Sequence, residues 1–390
     1  MTRTQAPGLA SGIRRLLATD FVATLATPHG VDRYLELFNP LWSVHEVRAE
    51  VVATVCETAD ATTLRLRPNG NWLGARAGQY IRISVELDGV RRTRCYSLSS
   101  SALRTDGLID ITVKTVAGGK VSGPLAAAAY PGMVVTISQA DGDYCLPGNL
   151  FAANAAQWPA RVVLISGGSG ITPNMAILRT LLDEALLEKK YAGRIDVLHY
   201  APTYADVIFG SELAALAAQH NNLTVRIILT RATSAGADCT GHFCAAHLDA
   251  LTKDLAAAET WVCGPPALID AVRAEFAGRD LAGKLHIEQF TAGSSANPVP
   301  APVAEAVGGE LRFVRAERFV ASDGRALLDQ AEAAGLQPAS GCRMGICMAC
   351  KCTKVSGVTK NLVTGELSCE PNDEIQLCVS VPLGDVTLDI

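Results

Sequence analysis

The sequence predicts a multidomain chain: an antiparallel β-barrel or sandwich, then an α/β domain built on a parallel sheet, then a compact third module. Three observations carry this. Short β-rich runs with Gly, Pro, Asn and Asp punctuation fill residues 46–150. Strand and helix patterns alternate over residues 160–290. A proline-bearing stretch at 291–310 then separates these regions from a cysteine-dense segment, 311–390. The length of 390 residues fits two to three domains at about 150 residues each.

Residues 1–45 form a lead-in, in which SGIRRLLATDFVATLAT suits one or two short amphipathic helices with Arg14 and Arg15 on the polar side. Such an arm packs on the main body or touches a partner or membrane surface. In the barrel region, EVRAEVVATVCE, TTLRLRP, QYIRISVEL, RCYSLSS, LIDITVKTV and MVVTISQA read as strands. In the next region, RVVLISGG, RIDVLHYA, TVRIILT and TWVCGPP read as strands, with TPNMAILRTLLDEALLEKK, GSELAALAAQH and PALIDAVRAEFAG as helices between them. Pro298, Pro300 and Pro302 sit among small residues in the 291–310 linker and give it semi-extended character.

Composition narrows the function classes. Hydrophobic residues make up 49% and charged residues 19%, which supplies a core and excludes a disordered chain. A net charge of −5 disfavours a nucleic-acid partner, whose phosphates are gripped by basic surfaces. No apolar run approaches the ~18 residues of a membrane span, so membrane contact is at most peripheral. The N-terminus lacks a signal-peptide pattern, and a cytoplasmic protein is expected, with any peripheral contact at the inner face of the membrane.

A reducing compartment turns attention to the cysteines. Six of the twelve follow residue 340; the other six, scattered singly, are expected to be mostly small buried residues. GCRMGICMACKC places Cys342, Cys347 and Cys350 at C-x4-C-x2-C, and Cys378 follows after 27 intervening residues. Zinc sites usually use two short C-x2-C pairs. Three thiolates on one tight loop plus a distant fourth is instead the plant-type [2Fe–2S] spacing. Zinc and a merely structural cysteine loop remain as alternatives. Gly341 and Gly345 let the loop wrap closely and aim N–H groups at sulfur. Cys352 and Cys369 fall outside the four-ligand pattern. This segment resembles plant-type ferredoxins, and the resemblance implies an α+β β-grasp domain.

RTRCYSLSS carries Arg94, Tyr96, Ser97 and Ser99 on a strand, where alternation sends Arg94, Tyr96 and Leu98 to one side. GGKVSGPLA follows about 25 residues later, with a helix start near Ser122 that offers N–H donors to a phosphate. Together these resemble the ferredoxin–NADP reductase superfamily. The resemblance implies that Arg94 binds an FAD phosphate, that Tyr96 lies along the isoalloxazine and that Ser97 hydrogen-bonds near flavin N5. It also implies that Gly119, Lys120, Val121 and Ser122 cap the pyrophosphate.

SGGSGITP, residues 166–173, follows a strand and opens a helix, so Gly167, Gly168 and Gly170 allow close backbone approach to a second pyrophosphate. Thr172 suits the N-cap and Pro173 the first helical position. The pattern is not G-x-G-x-x-G; it resembles the GGxGxxP turn of the same superfamily. WVCGPP supplies its second half, and the resemblance puts Cys263, Gly264 and Pro265 beside the nicotinamide. Glu288 and Phe290 in HIEQF resemble the residues that close over the flavin edge. After the third strand, Thr230 and Arg231 offer a hydroxyl and a cation to a 2′-phosphate, which favours NADPH over NADH.

The order of parts implies an electron path in which NAD(P)H reduces FAD and a [2Fe–2S] cluster carries electrons onward. Tyr96, Ser97 and Cys263 are the residues expected to affect hydride transfer. The segment 311–390 holds eight basic and ten acidic side chains, so an acidic rim suits transient docking of a basic electron-acceptor protein. The lead-in, with YLELFNPLWS, resembles reductases serving membrane di-iron fatty-acyl desaturases; the reductase of a soluble aromatic or acyl-CoA oxygenase is the alternative.

Overall fold

The computed structural model describes residues 11–19, 30–87, 90–115, 121–146, 159–183, 191–231, 239–252, 254–290, 309–341, 343, 345, 348–363 and 365–390. By internal contacts the chain divides into two compact units, Met1–Ile83 with Tyr96–Gln289, and Ser84–Cys95 with Phe290–Ile390. No helix among the described residues is long and apolar enough to cross a membrane.

In the lead-in, short helices span Ser11–Leu17 and Val31–Glu36. Asp32 accepts from Ser43 Oγ and from the Val44 amide, both at 2.6 Å, which ties the second helix to the chain entering the barrel. Arg48 is buried and reaches back to Glu36 at 2.6 Å.

The barrel consists of β1 (Val47–Thr58), β2 (Ala61–Pro68), β3 (Tyr80–Leu87), β4 (Val90–Ser97), β5 (Ile109–Lys114) and β6 (Val134–Ile137). Their order is β4-β3-β6-β1-β2-β5, and an antiparallel bridge between Leu98 and Ile111 joins the chain leaving β4 to β5. That bridge links the two outer strands of the sheet, as closure of a barrel requires. Val47, Ala49, Val51, Leu64, Leu66, Ile81, Ile83, Ile111 and Val113 fill the interior. The two-residue alternation expected on β4 does not extend past it: Ser97, Leu98, Ser99 and Ser100 are all buried, because other parts of the chain cover both sides.

The second domain has six parallel strands: β7 (Arg161–Gly167), β8 (Arg194–Ala201), β9 (Leu223–Leu229), β10 (Cys239–Thr240), β11 (Ala258–Cys263) and β12 (Leu285–Glu288), ordered β10-β9-β8-β7-β11-β12. Helices at Ile171–Leu181, Gly210–Gln219, Ala245–Leu251 and Pro266–Gly278 accompany them. Six of the seven residues of β7 are buried, as expected of a strand covered on both faces. The order reverses between β7 and β11, so the crevice beyond their C-terminal ends is the topological switch point of the sheet.

In the C-terminal domain, β13 (Glu310–Phe313), β14 (Arg318–Ala321), β15 (Lys351–Ser356), β18 (Asp373–Gln376) and β20 (Val386–Leu388) form a mixed sheet ordered β14-β13-β20-β15-β18. β13 and β20 are parallel neighbours, and the helix Leu327–Ala333 packs on them through Leu327, Leu328 and Ala331. This is the β-grasp arrangement. A smaller sheet joins β16 (Thr359–Asn361), β17 (Leu367–Ser368) and β19 (Ser380–Pro382). Lys354 is fully buried, and its ammonium donates to the Gly357 and Glu370 carbonyls at 2.7 Å each, which satisfies the charge without a carboxylate.

Candidate active site and cysteine loop

Two turns meet at the switch point. Cys263 at the end of β11 pairs in register with Ser166 of β7 on one side and with Glu288 of β12 on the other. The turns beyond touch backbone to backbone: a Cβ on Gly170 would lie 2.1 Å from the Cys263 carbonyl oxygen, and one on Gly167 would lie 2.8 Å from the Pro265 ring. Gly264 in turn faces the Gly167 amide at 3.0 Å from its own virtual Cβ. Only glycine lets these segments approach so closely, and Gly168 adopts φ +55°.

The helix after the first turn starts earlier than expected. Gly168–Gly170 forms a 3-10 turn, Gly170 is the N-cap and the helix runs Ile171–Leu181. Thr172 is therefore not the N-cap and Pro173 is not the first helical residue. The glycines need no side-chain cap to enter the helix, and Thr172 Oγ1 instead donates to the Ser169 carbonyl at 3.0 Å.

Ser97, at the end of β4, donates to Glu288 Oε2 at 3.3 Å. Burial pushes the Glu288 carboxyl up to about 8, against a partial lowering by the Ser97 hydrogen bond. Burial, with the neighbouring Glu288, also holds the Cys263 thiol well above its usual value. Tyr144, fully enclosed and near both, is raised for the same reasons and donates to Asn174 Oδ1 at 2.6 Å. At neutral pH buried Ser97, Cys263 and Tyr144 thus gather, uncharged, around the half-buried carboxyl of Glu288, which keeps its proton. Such a cluster fits the neutral dihydronicotinamide ring of a reduced nucleotide beside a flavin, and the paired glycine turns fit an anion carried on main-chain amides.

Other expected site residues lie elsewhere. Tyr96 is half-buried on β4. Arg94 Nη1 donates to the Thr93 carbonyl at 2.8 Å and to the Gly341 carbonyl. Val121 is buried and caps the helix Ser122–Ala128, while Gly119 and Lys120 lie outside the described residues. Thr230 and Arg231 follow β9, where their amides donate to the Ala201 and Pro202 carbonyls, and the Arg231 side chain is exposed. The nearest acid after β8, Asp206, is engaged locally by the Thr203 amide and hydroxyl. Phe290 is half-buried.

Cys350 is 2% exposed in the C-terminal core, and its carbonyl accepts from the Leu377 amide at 3.1 Å, which brings the chain before Cys378 alongside it. Gln376 Nε2 holds the Gly345 carbonyl at 2.6 Å, and Gly345 takes φ +75°. Cys342 and Cys347 lie outside the described residues, so the full four-thiolate set is not described; no group of three or more metal-ligating side chains converges among those that are. Cys350 and Cys378, both in turns, offer soft donors that suit iron–sulfur ligation better than oxygen-preferring ions. Of the scattered cysteines, Cys145 and Cys263 are buried as expected, but Cys56 and Cys244 are exposed because their segments lie at the surface.

Tyr144, Asn174 and Arg179 are polar groups at this site that the motifs did not mark. The last two could have been found, with Thr172 and Thr180, as the polar positions of a mostly apolar helix.

A switch-point crevice between glycine turns, a flavin-type barrel against it and a cysteine-bearing β-grasp domain define an NAD(P)H-dependent oxidoreductase using FAD and a [2Fe–2S] cluster. Three family models match in that order: an oxidoreductase FAD-binding domain over residues 47–144, an oxidoreductase NAD-binding domain over 164–274 and a 2Fe-2S iron-sulfur cluster binding domain over 314–382. The chain is 36% identical to an NADPH oxidoreductase of Mycobacterium tuberculosis over 94% of its own length and 90% of that protein's. It is 31% identical to the ferredoxin reductase component of 3-ketosteroid-9-alpha-monooxygenase of Mycolicibacterium smegmatis, covering 89% of this chain and 97% of that one. Phthalate dioxygenase reductase shares the fold, with a TM-score of 0.58 at 22% identity over 89% of this chain and 98% of that one. The chain belongs to the ferredoxin–NADP reductase superfamily, in the branch that carries a C-terminal plant-type [2Fe–2S] domain.

Proposed function

We propose that the chain accepts electrons from NADPH at the Ser97–Cys263–Glu288 cluster and delivers them singly to a separate oxygenase component. The observation that carries this is the meeting of the two glycine turns directly beyond Cys263, whose strand neighbours are Ser166 and Glu288. When bound, the nicotinamide supplies a hydride, the flavin splits the pair and the cluster carries one electron at a time.

Gly167, Gly168 and Gly170 present amides to the nucleotide pyrophosphate, and Cys263, Gly264 and Pro265 flank the nicotinamide. Tyr96 packs along the flavin, and Ser97 orients its hydroxyl through Glu288, which keeps a proton at neutral pH. Arg94 neutralises the FAD phosphate, and Gly119, Lys120, Val121 and Ser122 cap its pyrophosphate. Phe290 covers the flavin edge. Thr230 and Arg231 receive the 2′-phosphate, a role supported by the local engagement of Asp206. Cys342, Cys347, Cys350 and Cys378 hold the cluster.

The oxygenase reading is supported by the Mycolicibacterium relative, named as a component of a monooxygenase. A membrane di-iron fatty-acyl desaturase is the second reading, favoured by the exposed Leu37 and Phe38 of the lead-in, 76% and 81% accessible. Anaerobic stopped-flow mixing with NADPH should bleach the flavin before the cluster, and absence of either chromophore rejects the whole path. Salt-sensitive binding to membranes bearing a desaturase, with product formed there, selects the second reading. Coupling to a soluble oxygenase without membrane binding selects the first.

A further inference from the structure

The helix Ile171–Leu181 is buried at ten of its eleven positions, so it has no face free for solvent. A helix enclosed on all sides is normally apolar throughout. This one keeps Asn174, Arg179 and Thr180, and each is tied to the barrel or to the strand beneath. Tyr144, on the barrel side, donates to Asn174 Oδ1 at 2.6 Å, and Asn174 Nδ2 donates onward to the Ile165 carbonyl of β7 at 2.9 Å. Arg179 Nη1 donates to the Ser99 carbonyl at 2.6 Å. Thr180 Oγ1 accepts from the Ala102 amide at 3.0 Å, and Asp183 just beyond accepts from Ser101. The anchored segment, Ser99–Ala102, begins two residues after Ser97.

These anchors are themselves held. Glu212 grips Arg179 in a two-pronged ion pair, with Nε to Oε1 at 2.8 Å, and the guanidinium lies 4.7 Å above the Phe209 ring. Phe209 adopts φ +60°, an unusual conformation for a bulky residue, in the contact that supports the cation. On the other side Gly78, at φ +97°, packs so tightly that a Cβ there would lie 1.9 Å from the Tyr144 carbonyl oxygen. Domains joined within a chain move relative to each other unless their interface prevents it. Here buried polar groups at several points along one helix would lose their partners if the domains shifted, which disfavours any other arrangement.

We propose that this helix is a positioning rail for hydride transfer, with Tyr144 and Arg179 as positioning residues that fix the Ser97 strand against the turn beginning at Gly167. The inference rests on the placing of the nicotinamide beside Cys263 and of the flavin beside Ser97. The geometry is preset rather than made by closure on the nucleotide, and a misplacement of about 1 Å slows reaction far more than it weakens binding.

The test uses the flavin- and cluster-loaded full chain under anaerobic stopped flow with NADPH and 4-deuterated NADPH. Tyr144→Phe removes one oxygen, Arg179→Met removes the cation, and Arg179→Lys keeps a donor and a charge. The expected result is a three- to tenfold fall in the limiting rate of flavin reduction for the first two, with the NADPH dissociation constant changed less than twofold. The isotope effect becomes more temperature-dependent, the long-wavelength absorbance of reduced enzyme with NADP+ weakens, and Arg179→Lys recovers part of the rate. If Arg179→Met does not fold, Tyr144→Phe decides. Lowered thermal stability with rate, isotope effect and long-wavelength absorbance unchanged within twofold overturns the rail and leaves the site reading intact. A wild-type flavin that NADPH does not reduce overturns both.

Discussion

Glu288 is a carboxyl that folding keeps protonated where the unfolded chain does not. Its ordinary value is 4.5, and burial moves it to about 8. Between those values the folded protein binds a proton that the unfolded protein has released, so stability falls as pH rises. The contribution is complete below pH 4.5 and is lost by about pH 8. Glu288→Gln should therefore flatten the decline of the melting temperature between pH 5 and 8, as read by thermal unfolding across that range; a slope equal to wild type would mean the carboxyl ionises normally. Arg231 poses a different question at the same scale. Its exposed side chain makes no contribution to the core. If it receives the 2′-phosphate, Arg231→Ala should raise KM for NADPH about tenfold, worth ~1.4 kcal/mol, and leave KM for NADH within about twofold. Equal effects on both nucleotides would remove it from the specificity site.

The meeting of the two turns sets the element scale. Gly170 cannot carry a side chain without moving the Cys263 carbonyl. Gly170→Ala should cost about 3 kcal/mol, lower the melting temperature by about 5 °C or more and slow flavin reduction by NADPH. Unchanged melting would show that β11 and the first turn can separate freely. The strand–turn–helix and the CGPP turn were legible in the sequence because glycines and prolines have strong local meaning. The helix start was misplaced by two residues because Thr172 and Pro173 form a good local signal that the glycine turn overrides. Tyr144 was not legible at all. It sits in the polar loop DGDYCLPG, where no periodicity marks it, and it acquires its role only from the tertiary contact with Asn174. Glu288 was visible as a residue of HIEQF, but its hydrogen bond from Ser97 and its raised carboxyl were not. The cysteine spacing is a property of the sequence itself, and because Cys342 and Cys347 lie outside the described residues the ligand set stands on that spacing alone.

At the scale of the whole molecule, the division into two contact units makes the electron path separable by experiment. The Ser97–Cys263–Glu288 cluster lies wholly in the first unit, and Cys350 and Cys378 lie in the second. Damage to the cysteine loop should therefore leave the chemistry of the first unit standing. Cys350→Ser is the severe variant, because Cys350 is enclosed by Leu327, Leu377 and their neighbours in the C-terminal core. Cys378→Ser is the milder one, because Cys378 is half-buried. Both should lose the iron–sulfur absorbance while retaining flavin. The rate of flavin reduction by NADPH and the turnover with ferricyanide should stay within about twofold of wild type, and reduction of cytochrome c should fall tenfold or more. That pattern places the cluster after the flavin on a single route. Cytochrome c reduction at the wild-type rate would mean that electrons leave the flavin directly, and the C-terminal domain would then serve docking or sensing instead of transfer.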